Sequence, residues 1–185
     1  MSRIHHFTPD ELDEPQRRLY EGIAGGPRAT GPQLFSLTDE QGSLAGPFNA
    51  MLLAPSLGDA LQRLGGAIRY QGALSARCRE LAILAVAAHR ECGFELRAHE
   101  RIGAHIGLSE AELAAVVSGA PLELADPEEA AVLATTRELV TRADLDEAAY
   151  ARAVEALGEA KLFELTTLVG YYSLLALQMR VFGVD

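Results

Sequence analysis

The chain has 185 residues, of which 49% are hydrophobic and 23% charged, proportions that suit one globular domain and exclude a disordered chain. Its formal net charge of −10 comes from 16 basic and 26 acidic residues, which argues against nucleic acid or an anionic membrane surface as a partner. The sequence shows neither an apolar signal region nor the roughly 18 apolar residues in a row that a membrane span needs. We therefore expect a cytoplasmic protein whose two cysteines, Cys78 and Cys92, stay reduced.

A first helix is predicted from Thr8 to about Ala24. Thr8 offers a hydroxyl cap, Pro9 suits the first turn, and Glu11 stands at the capping-box position. The following segment, 27–47, is rich in Gly, Pro, Ser and Thr without any period, which predicts a loop or arm. Loops of this length are uncommon in compact domains and often serve a site or a subunit contact.

The middle of the chain carries the strongest helix signals. From Ser56 the leucines and isoleucine are spaced by three and four, as one face of a helix requires. Ser75 then opens a segment, 81–88, that is apolar all round and predicts a fully buried central helix. A buried parallel strand is the rival interpretation, but its length and alanine content favour the helix.

Five further helices are predicted downstream. One runs from about Cys92 to His105, and capping signals at Ser109, Asp126 and Asp144 start the next three. A last one, from about Glu159 to Phe182, is too apolar for a solvated surface helix, so it should pack in the core or against another subunit. Because no segment alternates apolar and polar residues over a strand length, the predicted fold class is all-α.

One helix face is predicted to hold a thiol, a carboxylate and an imidazole. At about 100° per residue, Cys92, Glu95 and His99 lie within about 60° of one another. Glu80 stands at the start of the central helix and could reach this face if the two helices form an antiparallel hairpin. A buried carboxylate paired with an imidazole is an arrangement used for proton transfer near neutral pH.

These residues resemble the motif of the carboxymuconolactone decarboxylase family, which includes the alkylhydroperoxidases. Its redox-active members carry a glutamate, eleven residues, then Cys-x-x-Cys-x-x-x-His; here Glu80, Cys92 and His99 match, and Glu95 stands where the second cysteine would be. The stretches 79–87 and 99–110 also look like the family. The resemblance implies an alkylhydroperoxidase D-like bundle of about eight helices with a central buried hairpin, and a homo-oligomer, a trimer or hexamer. We accordingly expect an amino-terminal helix and arm over 1–46 and a family-like helical domain over 47–185.

Glu95 moves the expected chemistry away from a disulfide cycle, which needs two thiols. It resembles instead the decarboxylase side of the family, which uses acid and base groups without a metal or organic cofactor. By that resemblance His99 would move a proton on a small carboxylated or lactone-type substrate, and Glu80 or Glu95 would orient the imidazole. An arginine would hold the substrate carboxylate, and the candidates are Arg77, Arg79 and Arg90.

Other interpretations stay open at the level of sequence. Cys92 alone could be oxidised by peroxide to a sulfenic acid that an external thiol restores, which would make the protein a thiol peroxidase. Cys92 could equally be a buried hydrophobe, and Glu80 could pair structurally with Arg77 or Arg79. The chain could also be an inactive helical assembly or binding protein on a shared fold. No metal is expected, because no standard ligand spacing is present.

Overall fold

The computed structural model describes residues 2–30 and 34–184, and this part of the chain is helical throughout its regular structure. It contains eight α-helices, two short 3-10 turns and one isolated β-bridge between Thr38 and Leu44. The helices are α1 (Glu14–Ala24), α2 (Pro47–Met51), α3 (Pro55–Tyr70), α4 (Ala76–His89), α5 (Gly93–His105), α6 (Glu110–Ser118), α7 (Pro127–Arg142) and α8 (Glu147–Phe182). The predicted all-α class with about eight helices is confirmed.

The chain divides into two compact units, one of residues 1–71 with 177–185 and one of residues 72–176. We call them the terminal unit and the central unit. The division after residue 46 that the sequence suggested stays a prediction. Among the described residues, none of the helices has the length and apolar character needed to cross a membrane.

In the terminal unit, α1 begins later than the sequence predicts. Thr8 caps a 3-10 turn, Pro9–Glu11, and the α-helix starts after Asp13, whose carboxylate accepts from the amide of Gln16 at 2.9 Å. The reason is Pro15, whose ring would clash with the carbonyl four residues earlier in an uninterrupted helix. Helices α1 and α2 both pack against α3.

Buried Asn49 of α2 ties down the amino-terminal segment of the terminal unit. Its side-chain oxygen accepts from the amide of Phe7 at 3.1 Å, and its side-chain nitrogen donates to the carbonyl of His5 at 2.8 Å. Both hydrogen-bonding groups of a buried amide are thereby satisfied. Helix α2 is not among the predicted elements; its five residues begin at Pro47, where the predicted arm ends.

In the central unit, α4 lies at the middle of the core. It packs against α5, α6 and α7, and nine of its fourteen residues are buried. Ser75 caps it by accepting from the amide of Cys78 at 3.0 Å. Buried apolar side chains of α4 form one cluster with side chains of the α5–α6 turn, α6 and α7. Its members are Leu81, Leu84, Ala85, Leu108, Val116 and Leu133.

The two carboxy-terminal helices predicted from the sequence meet at Gly158 to form α8. Gly158 has φ 74° and ψ 161°, a backbone conformation essentially restricted to glycine, between two helical stretches. A Cβ atom at this position would touch nothing, so the conformation and not crowding requires the glycine.

Candidate active site

Glu80 is the polar exception on the buried helix α4. It lies one turn into the helix and is 2% exposed. A carboxylate that is removed from water in this way is costly unless it is paired. The partner is not Arg77 or Arg79 but His99, which reaches it from α5.

The imidazole of His99 lies between two carboxylates. Its Nδ1 atom is 2.5 Å from Glu80 Oε2, and its Nε2 atom is 3.1 Å from Glu95 Oε2. The side chains of all three residues are at most 5% exposed. We call Glu80, His99 and Glu95 the relay. The antiparallel α4–α5 hairpin brings Glu80 to His99, and the four-residue spacing on α5 brings Glu95 to the same ring.

The two carboxylates determine the protonation of the ring. Burial by itself would lower the pKa of His99, but the charge of Glu80, its hydrogen bond to the ring and the contact with Glu95 together raise it to about 9. At neutral pH the ring is therefore an imidazolium. Only that form can donate from both nitrogens, as two carboxylate partners require.

Tyr172 of α8 also contacts His99, and no role was predicted for it. Its ring meets the imidazole edge to face, with centroids 5.4 Å apart and planes at 88°, and Tyr171 packs edge to face on Tyr172. Both tyrosines are buried. One sequence feature could have indicated them: two adjacent tyrosines in an otherwise apolar helix. Buried phenol groups need hydrogen-bond partners, so such a pair points to polar groups nearby.

Cys92 lies directly before α5 as its N-cap residue, with extended backbone (φ −97°, ψ 98°). Its place on one helical face with Glu95 and His99 stays a prediction. Its amide donates to the carbonyl of Ala87 at 2.9 Å, and the residue is 3% exposed. Cys92 thus lies at the carboxyl end of α4 and at the amino end of the helix that carries Glu95 and His99.

Cys78 cannot pair with Cys92 in this fold. The nine helical steps from Cys78 to Ala87, whose carbonyl binds Cys92, span about 13 Å, and a disulfide needs Cα atoms within about 7 Å. Burial raises the pKa of the Cys78 thiol, and the nearby charge of Glu128, whose Oε1 is 3.8 Å from the sulfur, adds to this. Both cysteines are thiols.

The three candidate arginines have different surroundings. Arg77 donates to both oxygens of Glu129 at 2.7 and 3.0 Å, to Glu112 at 2.6 Å and to the carbonyl of Gly107 at 2.6 Å. Its guanidinium therefore joins α4 to α7 and to the start of α6, and it is not available to a substrate. Arg90 is exposed and donates to Ser173 at 3.3 Å. Arg79 is half-buried and has no carboxylate partner among the described residues.

Two surface cavities of the central unit lie away from the relay. One, of about 380 Å³, lies between α4, α6 and α7, and the other, of about 360 Å³, lies between α7 and the first half of α8. Neither is lined by a relay residue, so entry to the relay from these cavities requires side chains to move. In the described part of the chain, no group of three or more His, Cys, Asp or Glu residues is arranged to hold a metal ion.

Two solved structures have a similar fold. A protein of unknown function from Agrobacterium tumefaciens, provisionally described as an antioxidant defence protein AhpD, is 17% identical, with a TM-score of 0.65 over 76% of this chain and 97% of that one. The debrominase Bmp8, as a cysteine-to-alanine variant in complex with 2,3,4-tribromopyrrole, is 14% identical, with a TM-score of 0.71 over 100% of this chain and 93% of that one.

The family model of the carboxymuconolactone decarboxylase family matches residues 55–138. This segment runs from α3 into α7 and contains the whole relay. The resemblance predicted from the motif around Glu80 and His99 is therefore confirmed by a match that does not depend on that motif alone. A search among curated proteins finds no match to the chain.

Proposed function

We propose that the protein is an acid-base enzyme, resembling carboxymuconolactone decarboxylase, that acts without an organic cofactor on a small carboxylated or lactone-type molecule. The observation that carries the proposal is the buried imidazole of His99 between two carboxylates. A structural role needs one partner for the ring. Two partners on opposite nitrogens form a line along which a proton can move.

Within this line, Glu95 is the group that meets the substrate. Its contact with the ring is the longer of the two, 3.1 Å against 2.5 Å, so the proton on Nε2 is held less tightly than the proton on Nδ1. Glu80 holds the ring in place from α4. The resemblance also supports Glu95, because it stands where redox-active members carry a reacting thiol.

In a decarboxylation, the carbon-carbon bond to the carboxylate breaks and CO₂ leaves, while the electron pair stays on the substrate carbon. Glu95, protonated through Nε2 of His99, gives its proton to that carbon. The imidazole is then neutral and takes a proton back from solvent. The exclusion of water around the relay strengthens each of these interactions.

The test is turnover of carboxymuconolactone and related small lactone acids, followed by CO₂ release. We expect Glu95→Gln and His99→Gln to lower kcat by about a hundredfold to ten thousandfold, the contribution typical of a positioned acid-base group. In D₂O the product should carry deuterium at the carbon that lost CO₂. His105→Gln is the matched control, because His105 lies on the same helix but is exposed. Unchanged turnover in Glu95→Gln would contradict the assignment.

A second function, thiol-dependent peroxide reduction, is favoured by the position of Cys92 at the amino end of α5, whose dipole favours an anion. The thiolate would attack the peroxide, the O–O bond would break, and an alcohol or water would leave while the sulfur becomes a sulfenic acid. An external thiol would then reduce it, since Cys78 lies out of reach. Peroxide consumption that Cys92→Ser abolishes and Cys78→Ser does not would favour this function over the first.

The proposal extends to location and assembly. We infer a cytoplasmic protein, because an oxidising compartment would threaten two functional or buried thiols. We also infer a homo-oligomer, because α8 exposes apolar side chains that a monomer would leave in water: Phe163, Leu174, Leu177 and Val181.

A further inference from the structure

Arg77 and Arg79 are two positions apart on α4. Both carry the same planar guanidinium group, but the hydrogen-bond partners of the two groups differ. In Arg77, the fork formed by Nε and Nη2 binds both oxygens of Glu129, at 2.7 and 3.0 Å. In Arg79, Nε is buried and has no hydrogen-bond partner in the described structure. The nearest acceptor for Arg79, the carbonyl of Leu74, lies 3.5 Å from Nη1, on the other side of the guanidinium from the Nε–Nη2 fork.

This arrangement is costly for the folded chain. A buried donor that forms no hydrogen bond has lost its contacts with water without replacing them, and this loss is larger when the group is charged. The chain has ten more acidic than basic residues, yet none of the described acids pairs with Arg79. Arg77 and Arg90 have hydrogen-bond partners. Among the three candidate arginines, Arg79 is therefore the one whose Nε–Nη2 fork has none in the described structure.

We propose that Arg79 binds a carboxylate of the ligand through its Nε–Nη2 fork, as Arg77 binds Glu129. This inference rests on the proposed function and specifies its substrate class as a carboxylate. Arg79 is the chain neighbour of Glu80 on α4. A planar fork selects a planar two-oxygen anion over a spherical one, and a lysine cannot replace it.

The experiment uses acetate, a small planar carboxylate, as the probe. Arginine side chains labelled with ¹⁵N are observed at Nε while acetate is added, and the Arg79 signal is identified by its loss in Arg79→Lys. We expect this signal to shift in a saturable way with acetate, and not with chloride at equal ionic strength or with neutral acetamide. The Arg77 signal should stay in place, because its carboxylate belongs to the chain.

Variants give the second readout. Backbone amides of residues 74–80 should report acetate binding that Arg79→Lys weakens about tenfold or more, as expected when hydrogen bonds to a charged group are lost. Arg63→Lys, an exposed arginine paired with Asp59, should leave binding unchanged. An Arg79 signal that does not move with acetate, or that moves equally with chloride or acetamide, overturns the inference.

The same measurement separates the two proposals. Acetate binding needs no turnover, so a protein that binds acetate at Arg79 but shows no decarboxylation would refute the acid-base function alone. Turnover that depends on Glu95 without acetate binding at Arg79 would refute only the role of Arg79.

Discussion

His99 combines two opposing physical effects in one ring. Burial disfavours a charged imidazole, whereas two carboxylates within hydrogen-bonding distance favour it, and the carboxylates prevail. The relay is consequently a charged cluster inside an apolar hairpin. Such a cluster is weak evidence of stability, because apolar residues of similar size often fold as well. The free energy that it costs to bury these charges is easier to explain by a role in proton transfer than by a contribution to stability.

The charge of His99 predicts how stability depends on pH. The folded pKa of about 9 lies above the ordinary value of 6.5, so the ring stabilises the fold fully below about pH 6.5. Between pH 6.5 and 9 the unfolded chain releases the proton while the folded chain keeps it. The free energy of unfolding should therefore fall over this range, by on the order of 3 kcal/mol.

Urea denaturation at successive pH values measures this change. His99→Gln should remove most of the decline, and His105→Gln, exposed on the same helix, should retain it. A decline of equal size in His99→Gln would show that other groups cause it.

The sequence predicted the members of the relay but not its geometry. Glu95 and His99 could be placed on one face because helical spacing is local. The contact of Glu80 with His99 depends on the turn between α4 and α5, and the contact with Tyr172 depends on how a helix 73 residues downstream packs. Similarly, no pattern could show that Arg77 is saturated by Glu112 and Glu129 whereas Arg79 is not.

At the scale of elements, capping residues explain why most helix starts were predictable. Ser75, Ser109 and Asp126 each accept a backbone hydrogen bond at the start of the predicted helix. Prediction failed where two start signals compete, as at Thr8 and Asp13, or where a short helix is held by distant contacts, as Asn49 holds α2. Local signals therefore describe helix ends well and do not describe short helices fixed by tertiary contacts.

Two glycines should respond in opposite ways to alanine, Gly158 of α8 and Gly22 of α1. Gly158→Ala forces a side chain into a backbone conformation with positive φ and should lower the free energy of unfolding by about 1–3 kcal/mol. Gly22 is helical and exposed with open space around it, so Gly22→Ala should raise stability by up to about 1 kcal/mol. Thermal or urea denaturation of the two variants compares them directly. Equal effects of the same sign would show that the break at Gly158 is not required.

At the scale of the whole molecule, the exposed side of α8 argues for assembly. Phe163 is 74% and Leu177 59% exposed, and the spacing of residues 163, 170, 174, 177 and 181 places them along one side of the helix. A continuous apolar stripe of this kind is unusual on a monomer.

Light scattering at micromolar concentration should give a mass three or six times 19.8 kDa. Leu177→Glu should dissociate the oligomer, since it buries a charge in the contact. Ala151→Glu introduces the same charge at an exposed position of the first half of α8 and should leave the mass unchanged. A wild-type mass of one chain would refute the assembly.

The positions of the two cysteines have a practical consequence for the dynamics of the molecule. Cys78 and Cys92 are 1% and 3% exposed and lie at opposite ends of α4. A buried thiol reacts with an alkylating reagent only when its surroundings open. The alkylation rate of each cysteine therefore reports how often the protein opens locally at that end of α4. The chain therefore carries two natural reporters of native-state fluctuation, one beside the start of α4 and one beside the start of α5, and peptide mass distinguishes them without any engineered label.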